Sequence, residues 1–113
     1  MSRIAPMRPI FAKTPQLVSK PMRANARGQR CELMLDCCNH DPETTVLAHL
    51  RMFGWAGMAE KPHDFLAVFA CSACHDALDH RGSKIDVDPW DVVRALGNTL
   101  IRQYEAHLLG ETP

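Results

Sequence analysis

A small α+β domain clasped by cysteines is what this sequence predicts, from three observations. Two short apolar stretches, residues 44–50 and 65–70, have strand character and flank a loop broken by Gly54, Gly57 and Pro62. Cysteines gather in two turns far apart in the chain, Cys31, Cys37 and Cys38 in one and Cys71 and Cys74 in the other. From Asp88 onward, apolar residues recur at helical spacing. At 113 residues the chain has room for one small domain, and chains this short bury too little apolar surface to be comfortably stable without a staple.

Residues 1–25 are rich in proline and basic side chains with no sustained hydrophobic period, which predicts a disordered basic N-terminal arm. The folded domain is expected to run from Ala26 to the end, residues 26–113. Asp41-Pro42 marks a turn before the first strand, Thr44 to Leu50. Phe65 to Ala70 is apolar enough to be a second, buried strand, antiparallel to the first. Residues 71–79 have few β-branched side chains and predict a short helix to about His80, with Ser72 satisfying free amides at its start and Gly82 ending it. Asp88-Pro89-Trp90-Asp91 then reads as an N-cap, a first-position proline and an early acid, opening a C-terminal helix over 88–109. Val93, Leu96, Leu100, Tyr104 and Leu108 form its apolar stripe, which must pack on the domain or against a second copy in a homodimer.

Formal net charge is zero, yet Arg3, Arg8, Lys13, Lys20, Arg23, Arg27 and Arg30 all precede the first acid, Glu32. Such an arm suits phosphates, whose counterions it would release, or is simply a solvated tail. No apolar run approaches the roughly 18 residues a membrane span needs, and the N-terminus lacks the apolar core of a secretory signal, so a cytoplasmic location with no membrane partner is expected. The acid-free, arginine-bearing start also suggests a mitochondrial transit peptide, but Pro6, Pro9, Pro15 and Pro21 oppose the amphipathic helix that reading requires.

Five cysteines are an odd number, and in a reducing compartment paired thiols are better read as metal ligands than as disulfides. Structural zinc takes four such ligands in a tetrahedron. Cys71 and Cys74 form a CxxC pair; Cys31 supplies a third ligand, and spacing alone does not choose between Cys37 and Cys38 for the fourth. The alternatives are small buried cysteines with no metal, or His40 in place of one thiol. Within the short helix, His75 and Asp79 lie four apart on one face and suit a divalent cation, with Asp76 and His80 a second such pair turned toward solvent.

The segments "ARGQRCE", "CNHDPETTVLAHLR", "KPHD" and "CSACHDALD" resemble the HNH (ββα-metal, or His-Me finger) endonuclease superfamily, and within it the YbcO-like nucleases encoded by phages and prophages. The resemblance covers residues 26–80 and selects Cys38, beside Asn39, as the fourth zinc ligand. It implies a zinc-stapled ββα-metal core with a metal-dependent DNA endonuclease activity. His49, at the end of the first strand, would be the general base on the attacking water, a role suited to a side chain whose ordinary pKa lies near neutrality. Asp64 would stand at the middle position of the pattern and orient His49. His75 and Asp79 would hold the catalytic Mg2+, Mn2+ or Zn2+. Arg27, Arg30 and Arg51 would grip the DNA backbone.

Two departures mark this chain: Ala48 precedes His49 where many members carry an acidic or histidine ligand, and Asp64 replaces the usual asparagine or histidine. Water or substrate phosphate would then complete the coordination. The rival expectation is a zinc-stapled nucleic-acid-binding module without hydrolysis.

Overall fold

A computed structural model describes residues 16–51, 62–79 and 87–109. In chain order the elements are α1 (Lys20–Ala26), a 3-10 turn (Pro42–Thr44), β1 (Val46–His49), β2 (Ala67–Ala70), α2 (Ser72–Leu78) and α3 (Pro89–Glu105). The strands pair antiparallel as expected, with Val46 opposite Ala70 and His49 opposite Ala67. They are shorter than the apolar stretches that announce them, because residues 42–44 close into the 3-10 turn that Asp41 caps.

Side chains alternate across a strand, so the hairpin has two faces, and both are covered. One face, with Ala48, Leu50, Val68 and Ala70, packs on the cysteines, on Leu78 of α2 and on Val92 and Ala95 of α3. The other, with Leu47, Ala67 and Phe69, packs on Met22 and Ala26 of α1. His49 follows Leu47 by two residues, and strand parity therefore delivers it to the α1 side. The outer edge of β2 is also closed: the Phe69 carbonyl accepts from Glu32 N at 2.8 Å, and the Phe69 amide donates to the Thr99 hydroxyl at 2.9 Å. No row of unpaired amides is left on that strand for another chain to join.

Two expectations are corrected. The arm expected to be disordered through residue 25 folds from Gln16, and α1 occupies Lys20–Ala26; residues 1–15 lie outside the described residues. Pro21 sits in the first turn, where a helix tolerates proline, and the Ser19 hydroxyl accepts from the Met22 amide. Gly28, at a φ of 89°, takes the left-handed position past the helix end.

The buried stripe of α3 is Val92, Ala95, Thr99 and Gln103, while Val93 and Tyr104 of the expected stripe are exposed along with Trp90 and Ile101. Small and hydroxyl side chains let the helix lie close against β2 and cap its edge, which large apolar ones would prevent. α3 begins as expected, with the Asp88 carboxylate accepting from Trp90 N and Pro89 in the first turn. It is anchored at its far end by the fully buried Glu32, which meets Arg102 at 2.9 Å and accepts from Asn98 at 3.2 Å. No helix among the described residues is long and apolar enough to cross a membrane. Gly82 and His80 lie outside the described residues.

Candidate functional site

Two polar clusters stand on opposite faces of the hairpin. The first is the cysteine tetrad. Met34 and His40 adopt positive φ, 48° and 57°, and the chain bends sharply enough there to bring Cys31 and Cys38 to one point. Cys71 ends β2 and caps α2, accepting from Cys74 N through its sulfur; this role was expected of Ser72. The sulfurs of Cys31, Cys38, Cys71 and Cys74 all lie within 4.8 Å of one another, the one group of three or more such donors among the described residues.

Four thiolates at about 2.3 Å from a tetrahedral zinc stand about 3.8 Å apart. The Cys38 and Cys71 sulfurs are 3.8 Å apart. Backbone amides of Met34, Asn39 and Cys74 point at the Cys31 and Cys71 sulfurs from 3.4–3.5 Å, an arrangement that favours the thiolate form. A hydrogen bond from the Cys74 thiol is the largest influence lowering the Cys31 thiol, which falls to about 4; donating to Cys31 correspondingly pushes Cys74 upward. The tetrad fits a zinc-sized soft cation, and Cys38 rather than Cys37 belongs to it. Cys37 turns aside, its sulfur 3.7 Å from the Ala73 carbonyl.

The second cluster surrounds Asp64, whose side chain is fully buried. One of its oxygens, Oδ2, accepts from Ser19 N at 2.7 Å and Arg23 Nε at 2.8 Å; the other, Oδ1, accepts from Arg23 Nη2 at 2.9 Å and lies 2.8 Å from His49 Nε2. Burial alone would raise this carboxyl's pKa, but the bonds from Arg23, His49 and Ser19 outweigh it and hold the group at about 2. An ionised Asp64 only accepts, so Nε2 of His49 carries the proton and Nδ1 is the basic nitrogen. The His49 side chain is 19% exposed, open enough to meet a small reactant.

His49 and Asp64 are thus joined as the sequence suggested. Arg23 and Ser19, which complete the cluster, were missed because the segment carrying them was read as arm. Its signal was present: Ser19 followed by Pro21 is a helix start.

The other expected site residues are distributed as follows. His75 Nε2 and Asp79 Oδ2 of α2 are 3.2 Å apart and partly exposed. Two neighbouring ligands of one small cation, with bonds of about 2.1 Å at right angles, would stand about 3 Å apart, so this pair fits two coordination positions. Among the described residues no third histidine, cysteine or carboxylate joins them. Arg27 is 77% exposed and meets Glu43 at 3.5 Å; Arg30 turns to the opposite flank and meets Glu32 at 3.5 Å. Arg51 is exposed two residues beyond His49.

A groove of about 700 Å3 runs between α1 and β1, with His49 and Ser72 among its walls. The face that Ser72 presents on α2 continues as His75 and Asp79, three and seven residues on.

Fold and site together define a small α+β protein with a cluster of four cysteines, spaced to hold a metal ion, behind a β-hairpin and a carboxylate-held histidine in front of it. Residues 20–106 match the family described as "Putative nuclease YbcO". The chain belongs to that family. It is 47% identical over 66 residues to "Putative nuclease YbcO" of Escherichia coli (strain K12) and equally to the protein of that name from Enterobacteria phage 82; the match spans 58% of this chain and 69% of each relative. A solved structure described as a "putative bacteriophage protein" from Escherichia coli K-12 superposes with a TM-score of 0.60 at 32% identity, covering 77% of this chain and all of that one.

Proposed function

We propose that the protein is a metal-dependent DNA endonuclease of phage or prophage origin, with His49 as the general base. The observation that carries this reading is the bond between Asp64 and His49 Nε2, which leaves Nδ1 as a basic nitrogen at the end of β1, bordering an open groove. The relatives named as nucleases, one of them from a phage, support it.

In this reading Nδ1 takes a proton from water as the water attacks the phosphodiester phosphorus. Asp64 fixes the tautomer and orientation of His49 and stabilises the imidazolium that forms, while Arg23 keeps Asp64 ionised and in place. A divalent cation on His75 and Asp79 would supply Lewis-acid polarisation of the phosphoryl oxygen and stabilise the leaving oxygen. With Ala48 before His49, His75 and Asp79 would be the cation's protein ligands and water or phosphate would supply the others. The cysteine tetrad would hold a structural zinc that ties β2 to α2. Arg27 and Arg51 contact phosphates, and Arg30, tied to Glu32, adds charge at longer range.

The test is incubation of the zinc-loaded protein with supercoiled, single-stranded and branched DNA in magnesium or manganese. Metal-dependent nicking by wild type and none by His49→Ala is the expected result. Binding without cleavage on every substrate would make the protein the zinc-stapled nucleic-acid-binding module instead. The outward apolar residues of α3, Trp90, Val93, Ile101 and Tyr104, are the surface that a homodimer would use, and a molecular mass that rises with concentration is its measurement.

A further inference from the structure

We infer that the groove between α1 and β1 is the path of a nucleic-acid strand past His49, with Arg23 and Arg27 as its cationic contacts and Glu43 as a carboxylate the strand must displace. The inference rests on the nuclease reading and adds to it where the strand lies and which residue resists its entry.

Helix α1 contributes Arg23 and Ala24 to one wall of the groove, and Arg27, the residue that ends the helix, adds to it; Glu43 and His49 are also among the groove's lining. Arg23 and Arg27 are one helical turn apart, about 6 Å along the axis, close to the spacing of successive phosphates on a strand. Neither cation is used up by the fold. Arg23 commits Nε and Nη2 to Asp64, which leaves its Nη1 donors, and its side chain is 42% exposed. Arg27 and Glu43 are both largely exposed and 3.5 Å apart, a loose surface pair that gives up little free energy when a phosphate takes the carboxylate's place.

The rest of the lining, with Ala24, Thr44, Thr45 and Leu47, carries no charge and suits the sugar edge of a backbone rather than a second row of charge. Asp64, buried behind Arg23, offsets that guanidinium's charge, so Arg23 offers a phosphate the free Nη1 donors more than net charge. The cation that a polyanion gains is Arg27, once Glu43 is displaced from it, and a strand held by both arginines passes His49 in the same groove. Glu43 raises a small threshold: its loose pair with Arg27, and its own charge, must give way before a phosphate takes that place.

The experiment uses the full-length, zinc-loaded His49→Ala protein, which binds without cutting, and a labelled 20-nucleotide single strand or its duplex, read by fluorescence anisotropy across a salt series. Adding Arg27→Ala should weaken binding roughly 3- to 10-fold and lower the salt slope by about 0.7 on the single strand or about 0.9 on the duplex, the loss of one phosphate contact. Adding Glu43→Gln should tighten binding roughly 2- to 5-fold, because Arg27 is released and a like charge removed. Arg30→Ala, on the Glu32 flank, should do less than half as much as Arg27→Ala.

Equal losses from Arg27→Ala and Arg30→Ala, or no response to Glu43→Gln, would overturn the groove as the strand's path. An acidic peptide that binds Arg27-dependently while DNA does not would overturn it in favour of a protein partner. The nuclease reading fails separately: if wild type never cuts yet the groove variants shift binding as stated, the groove stands as a binding site alone. If wild type cuts and the groove variants change nothing, only the strand path falls.

Discussion

The two faces of the hairpin hold polar groups together by different means. Behind it, four sulfurs from two distant turns converge with few other polar contacts, and a metal ion would relieve their mutual repulsion as thiolates. In front, one buried carboxylate is surrounded by four hydrogen bonds from α1 and β1, and no metal is needed to balance it. A chelator should act on the first cluster and, through it, on the whole fold; acid and charge removal should act on the second in a graded way. In the proposed reading a metal ion would supply the foundation, and a histidine held by a carboxylate would supply the reactive group.

The largest effect should come from the tetrad. Cys71→Ser, or exhaustive chelation, should remove zinc binding that contributes on the order of 10 kcal/mol and unfold the domain, read as loss of helical circular dichroism at 25 °C. Retention of a cooperative melting transition without metal would mean that the cysteines are ordinary core residues.

Next comes Asp64→Ala, which leaves Arg23 facing a buried gap and His49 without its partner. Because Arg23 is 42% exposed and can turn to water, the loss should stay at about 2–3 kcal/mol in urea unfolding, below the cost of stranding a fully buried charge. Zinc content should be unchanged, which separates the two faces; loss of zinc together with Asp64 would show them to be one cooperative unit.

A smaller effect follows from the carboxyl's lowered pKa. Asp64 sits at about 2 in the folded protein against an ordinary 3.8, so its contribution is present above pH 3.8 and is lost as pH falls through about 2. The shift corresponds to about 2 kcal/mol. Over the acid range in which the zinc-loaded fold persists, the stability gap between wild type and Asp64→Asn should therefore be constant well above pH 3.8 and narrow as pH falls below it toward 2, by no more than that amount. A gap independent of pH would remove the charged-carboxylate account.

The smallest effect is expected at Cys37→Ser. Its sulfur lies outside the tetrad, so zinc stoichiometry should stay at one and stability should change by less than about 1 kcal/mol. A lost zinc would place Cys37 in the site instead.

Much of this contrast could be read from residues alone. The hairpin followed at once by a helix was visible in the alternation of apolar runs and in CxxC, and α3 announced its start through Asp88-Pro89. His49 and Asp64 were paired by resemblance, and the geometry brings them to 2.8 Å. Three things were harder to see. The choice between Cys37 and Cys38 depends on left-handed turns at Met34 and His40, residue types that carry no turn signal as strong as glycine's. The buried stripe of α3 is legible only in part: Leu96 and Leu108 pack on the core as expected, but tertiary packing buries Ala95, Thr99 and Gln103 more deeply and leaves Val93 and Tyr104 exposed; hydrophobicity measures the wish to be buried, not the room available. Arg23 was hidden by composition: a proline- and arginine-rich segment reads as an arm until a buried carboxylate 41 residues away makes one of its arginines a core partner.

The central claim is that His49, held by Asp64, is the reactive group of a nuclease whose fold depends on the zinc and not on that histidine. Nicking of supercoiled plasmid, measured beside zinc content and DNA affinity on the same preparations of wild type and His49→Ala, tests it most directly. Equal zinc, equal affinity and nicking by wild type alone is the predicted result. Nicking by His49→Ala at the wild-type rate would contradict it.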